Sequence, residues 1–141
     1  MVSTLNSNIE ITGNLTAGGT VRGTYSDLAE YFLVEGSILC GNPTSIVGFR
    51  KVGKYSGRAY AGIRSFRPAM SMGGDISKSS IPIALSGSVK VNTRDRSIKL
   101  GDKLVVTKQG TVIRKRWYHL GLPLVGVAQE DYRKNSVMTL V

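Results

Sequence analysis

A chain of 141 residues is long enough for one domain with a genuine core, able to bury about two-thirds of the surface that its unfolded form exposes. Seventeen glycines among many Val, Ile, Thr and Ser direct it toward strands and tight turns, and a single cysteine, Cys40, excludes an internal disulfide. The net charge of +10 is unevenly held: residues 1–49 carry one base, Arg22, against four acids, whereas residues 50–141 carry eighteen bases against five acids. A basic half of this kind fits an acidic partner, although its bases stand singly or in pairs, as on a solvated surface, except at Arg114-Lys115-Arg116. No run approaches the ~18 apolar residues of a membrane span, and the N-terminus lacks a basic stretch followed by an apolar one, so a soluble product without a standard signal is expected.

Residues 1–24 read as an extended leader. Asn8-Ile9-Glu10-Ile11-Thr12-Gly13 and Asn14-Leu15-Thr16-Ala17-Gly18 are near-repeats that alternate apolar with polar, as a strand with one buried face does. Ile9, Ile11, Leu15 and Val21 are its substantial apolar anchors, too few for a core of their own. The leader is therefore expected to lie against a neighbouring copy, another protein or its own domain, with unpaired strand edges favouring addition to a neighbour.

The compact part, residues 25–141, opens on Tyr25-Ser26-Asp27-Leu28-Ala29-Glu30-Tyr31-Phe32. Ser26 or Asp27 can cap a short helical turn, with Glu30 three residues beyond Asp27 as in a capping box. Leu28, Tyr31 and Phe32 would then share one side of the turn and plug the end of a β-rich core.

Beyond this octet the chain reads as two related halves. Gly36-Ser37-Ile38-Leu39 opens a unit that Ala61-Gly62-Ile63 closes; Gly101-Asp102-Lys103-Leu104-Val105 opens another that Val125-Gly126-Val127 closes at nearly the same spacing. A further strand follows each closure, over 81–85 and 136–140, and Ser71 to Ser80 reads as a polar insertion in the first half. Such a duplication fits an all-β body, a small barrel or tulip-like structure of two pseudo-repeated halves with few free edges. Pro82 marks an edge or a strand start.

Local features point to contacts rather than chemistry. Arg114-Lys115-Arg116-Trp117-Tyr118-His119 mixes bases with aromatics, the combination that neutralises phosphates and stacks bases, and that equally anchors a protein interface through Arg116 and Trp117. As a single cluster it fits a subunit contact better than a nucleic-acid groove. Met70 and Met72 beside Gly73-Gly74 read as a loop shoulder with the methionines tucked inward. Lys90, Arg94 and Arg96 flank a solvated turn, and Cys40, in an apolar run, reads as a buried thiol. One histidine and one cysteine cannot make a four-ligand zinc site, and no nucleophile elbow, Walker loop or dinucleotide fingerprint is present. No metal, cofactor or catalytic residue is expected.

The octet resembles the Tyr-Ala-Asp-Leu-Ala-Glu signature of a small β domain in structural proteins of tailed bacteriophages, with Ser26 in place of the usual Ala. Three further segments resemble the same family in order: Ala61-Gly62-Ile63-Arg64-Ser65 with Pro68-Ala69, Ile83-Ala84-Leu85-Ser86-Gly87-Ser88-Val89, and Lys99-Leu100-Gly101-Asp102-Lys103-Leu104-Val105. The resemblance implies a virion protein assembled in the host cytoplasm, a homotrimer by family habit, whose partners are other capsid or tail proteins. Subunit contacts fall to Ile9, Ile11, Leu15, Val21, Tyr25, Leu28, Tyr31, Phe32, Arg116 and Trp117. A chain this short without a shaft reads first as a capsid decoration protein and second as a tail, baseplate or fibre module; nucleic-acid binding is a lesser alternative. A distantly similar group of phage spike domains cleaves itself, but nothing in this sequence identifies a nucleophile for that step.

Overall fold

The computed structural model describes residues 12–14, 16–19, 27–73 and 79–141. Most of the leader and Tyr25 lie outside the described residues, so its expected strand edges are not addressed by the fold. The body is all-β: ten strands in one sheet that curls into a half-barrel. In chain order they are β1 (Asp27–Glu35), β2 (Pro43–Gly48), β3 (Lys51–Lys54), β4 (Tyr60–Ile63), β5 (Met70–Met72), β6 (Ser80–Asn92), β7 (Lys103–Val106), β8 (Val112–Arg114), β9 (Leu124–Ala128) and β10 (Ser136–Leu140). The spatial order is β4-β2-β3-β1-β6-β10-β9-β7-β8, with β5 on β1, and an Arg64↔Ile83 bridge brings the β4 end back to β6.

Asp27 to Phe32 of the octet lie in strand β1, which corrects the helical turn expected from the Asp27–Glu30 capping spacing. Asp27 pairs with Gly87, Ala29 with Ala84, Tyr31 with Pro82 and Phe32 with Ile81, and a bulge falls between Leu28 and Ala29. The capping pattern is a local signal worth about 1 kcal/mol. Pairing on β6, together with parallel contacts to β3 and β5, satisfies the same backbone groups and buries Ala29 as well.

The two halves are real, and they share β6. Strands β1, β2, β3, β4 and the start of β6 form one unit; the end of β6, β7, β8, β9 and β10 form the other. Each unit opens on a glycine with positive φ, 84° at Gly41 and 85° at Gly101. The Gly41 N–H donates to the Arg64 carbonyl and the Gly101 N–H to that of Ala128, both at 2.8 Å, and the Arg64 and Ala128 N–H groups return to the carbonyls of Asn42 and Asp102. Both units carry a bulge at the same place, between Thr44 and Ser45 and between Leu104 and Val105, opposite Gly62 and Gly126. The opening turn of the first unit is therefore Gly41-Asn42-Pro43 rather than Gly36-Ser37-Ile38-Leu39. Ile38 lies before the strand as a buried plug, and Ile98 plugs the second unit in the same way.

The halves differ in what they bury. Val89, Val91, Ile98, Leu104, Val112 and Val137 belong to the larger apolar cluster, which fills the second unit. The first lends Tyr55, Ile63 and Ala84 to that cluster, has a smaller one of its own in Ile38, Val52, Ile81 and Ile83 with Phe32 and Val34 packed against them, and buries Thr44 and Ser45 where the second has Leu104 and Val105. Their hydroxyls are satisfied locally, Thr44 Oγ1 donating to the Gly62 carbonyl at 2.9 Å and Ser45 Oγ to that of Arg58 at 2.6 Å.

Pro82 is not at an edge, since it lies between β1 and β4, but as the third residue of β6 it does fall near a strand start. Its carbonyl accepts from the Ser65 N–H, away from β1, so the missing N–H removes no bond to β1. Met70 and Met72 are likewise not tucked inward; they form β5 and stay about half exposed.

Candidate interaction surfaces

Of the residues expected to meet a partner, Leu28, Tyr31 and Phe32 lie on β1, at the centre of the sheet. Leu28 is half-buried opposite Ser86 and Met70, Tyr31 is half-buried opposite Pro82, and Phe32 packs on the smaller core cluster. Arg116 and Trp117 lie elsewhere, in the connection between β8 and β9 at the far end of the sheet order. Ile9, Ile11, Leu15, Val21 and Tyr25 are outside the described residues. The structure thus brings Arg116 together with Trp117 and keeps the β1 residues as a separate group.

The β8–β9 connection is a built turn. The His119 N–H donates to the Arg116 carbonyl at 3.0 Å, and the Arg116 N–H donates back to His119 Nδ1 at 3.1 Å. That bond accounts for the one histidine. The Trp117, Tyr118 and His119 rings stand edge to face in sequence, with centroids 5.5 and 4.5 Å apart. Trp117 is nevertheless 87% exposed and Leu120 83%.

Asp95 ties this end of the molecule together. Its Oδ1 accepts from the Ser97 N–H and hydroxyl, and its Oδ2 accepts from the Arg114 N–H at 2.9 Å. Partial burial works against the charge, but the hydrogen bonds from Ser97 and Arg114 and the nearby Arg116 charge outweigh it and hold the carboxyl below its ordinary range. A carboxylate depressed in the folded state contributes stability that is present above its unfolded pKa and is lost as pH falls through the folded one. Asp95→Asn is expected to lower the urea midpoint at pH 7, with the difference from the parent closing as the pH is taken down through the lowered pKa.

A cleft of about 490 Å³ opens elsewhere, lined in part by Asp27, Cys40, Ser65, Ser88, Lys90 and Asn92. Cys40 is half-buried here rather than fully enclosed. Asp27 is 5% exposed, and its Oδ2 has no hydrogen-bond partner among the described residues. The local pattern offers Ser26 or Asp27 as a cap and does not mark Asp27 as a buried carboxylate, because its burial comes with pairing to Gly87, sixty residues away. No cluster of three or more His, Cys, Asp or Glu that could hold a metal occurs among the described residues.

No family model matches the chain, and no curated protein does. Among solved structures it is similar to the crystal structure of the pre-mature bacteriophage phi29 gene product 12, with a TM-score of 0.68 at 18% identity. The match covers 93% of this chain and 24% of that one, so the chain spans about a quarter of the phage protein's length. At this identity the likeness establishes a shared fold.

Proposed function

We propose that the chain is a non-enzymatic structural module of a tailed-bacteriophage particle, acting as a homotrimer that attaches to other virion proteins. The observation that carries the reading is the fold, which recurs over nearly the whole chain inside a bacteriophage gene product. Four motifs resembling phage structural proteins fall on structural landmarks: Asp27 to Phe32 of the octet on β1, Ala61-Gly62-Ile63 on the β4 bulge, Ile83 to Val89 on β6 and Gly101 on the second opening turn. The recurrence within a longer phage protein favours a tail, baseplate or fibre module. The two-half β body keeps capsid decoration as the competing placement. Immunogold electron microscopy of purified particles separates them: label at the tail or its tip is expected, label over the head would establish decoration, and unlabelled particles would refute the virion reading. Sedimentation of the purified chain as a stable monomer at micromolar concentration would refute the trimer.

One observation favours a second reading, self-cleavage near the start of the body. Asp27 holds a carboxyl oxygen out of water with no described partner, at the point where the expected leader ends, and the phage neighbour is described as a pre-mature form. Intact-mass measurement of the incubated full chain tests it. Two fragments whose masses sum to the chain plus one water, absent in Asp27→Asn, support cleavage; a single unchanged mass excludes it.

A further inference from the structure

The basic loops at the β8 end form one surface. The Lys115 N–H donates to the Lys103 carbonyl at 2.7 Å, the Thr93 hydroxyl to the Val112 carbonyl at 2.7 Å, and the Arg114 N–H to Asp95. These bonds set the loop that carries Arg94 and Arg96 beside the strand ends that carry Lys103, Lys115 and Arg116. All five cations are exposed, and none has an ion-pair partner among the described residues; Arg116 only lends its charge to Asp95 at longer range. The exposed Trp117 and Leu120 project from the same connection.

The acids are disposed in the opposite way. Glu30 is paired with Arg50, Glu35 with Lys51, Asp102 with Arg114, Glu130 with Arg133 and Asp131 with Lys99, at 3.1 to 3.8 Å. Asp95 is hydrogen-bonded at its own turn and Asp27 is buried. The described surface of a second copy therefore presents no unpaired exposed side-chain carboxylate to these cations, and like charges facing each other across an interface are unfavourable.

We propose that this surface docks an acidic segment of a different polypeptide, with Trp117 and Leu120 inserted among its apolar side chains and the five cations around them meeting its carboxylates. Arg and Trp are the residue types that most often carry an interface once desolvated, and a rim of cations sets orientation and association rate. Leu120 distinguishes the surface from a nucleic-acid platform, where aromatic faces rather than aliphatic tips meet the bases. The inference deepens the virion reading by stating the chemistry of one partner.

Trp117 is the sole tryptophan of the chain, so its fluorescence reports on this surface alone. The full chain is titrated with a short synthetic peptide alternating Glu with Leu, with the Lys-for-Glu version of that peptide, and with oligothymidylate. The acidic peptide is expected to shift Trp117 emission to the blue, and the Lys peptide to leave it unchanged. The Lys115→Ala/Arg116→Ala double variant, which keeps Trp117, is expected to bind about tenfold more weakly with an unchanged far-ultraviolet circular dichroism spectrum. An unresponsive Trp117, tighter binding of oligothymidylate than of the acidic peptide, or self-association of the chain abolished by the double variant would each overturn the proposal. The two readings fail separately: particles that carry the label while Trp117 stays silent refute the docking surface alone, and a responsive Trp117 with unlabelled particles refutes the virion assignment alone.

Discussion

Gly126→Ala is expected to destabilise the body by roughly 3 kcal/mol, seen as a large fall in the urea midpoint at an unchanged denaturant slope. Gly126 sits opposite Leu104 at the second bulge, with β10 close on its other side. A Cβ built there overlaps the Leu140 carbonyl group, with the carbonyl carbon at 2.9 Å and Thr139 Cγ2 also at 2.9 Å. Backbone cannot step aside as a flexible side chain can, so the strands must separate. Gly121 is the matched control: it has positive φ, 75°, but open space around it, and its replacement by Ala is expected to cost only about 1 kcal/mol of left-handed backbone strain. Equal effects at the two sites would mean that the close approach of β9 to β10 contributes nothing.

The second large effect is expected at Leu104, where Leu104→Ala removes a fully buried side chain from the larger core and leaves a cavity, at a cost of about 3 to 4 kcal/mol. Its counterpart in the first half is Thr44, equally buried but with little apolar volume to lose. Thr44→Ala forfeits the hydroxyl bond to the Gly62 carbonyl and is expected to cost about 1 kcal/mol. Urea unfolding of both variants checks the order. If Thr44→Ala proves the more damaging, the assignment of the main core to the second half is wrong.

The fold class was legible because it is written locally, in glycines, β-branched residues and alternating strands. The closing segments of the two halves were legible for the same reason: Ala61-Gly62-Ile63 and Val125-Gly126-Val127 each carry a glycine at a bulge against an earlier strand, β2 or β7, where a Cβ would strike β6 or β10. The opening turn was not. Gly36 and Gly41 both have positive φ and both precede apolar residues, and what selects Gly41 is its bond to the carbonyl of Arg64, a residue the chain reaches only after three strands. The octet failed in the same manner, its i, i+3 capping spacing overridden by strand partners from distant segments. In the candidate surfaces, Arg116 and Trp117 were visible as a run. Their neighbours Arg94, Arg96 and Lys103 were not, because hydrogen bonds across the sheet bring them there.

The sharing of β6 has a consequence for how the molecule comes apart. A duplicated protein made of two separate beads can lose one and keep the other, and its melting then spreads over two events. Here thirteen consecutive residues, Ser80–Asn92, belong to both halves: the first part of the strand is the last of one unit, and the remainder is the first of the next. Releasing either unit strips hydrogen bonds from the same strand that holds the other. The weaker half, with its polar interior, is thus secured by the richer core through one continuous backbone, and heat should melt the whole in a single calorimetric transition.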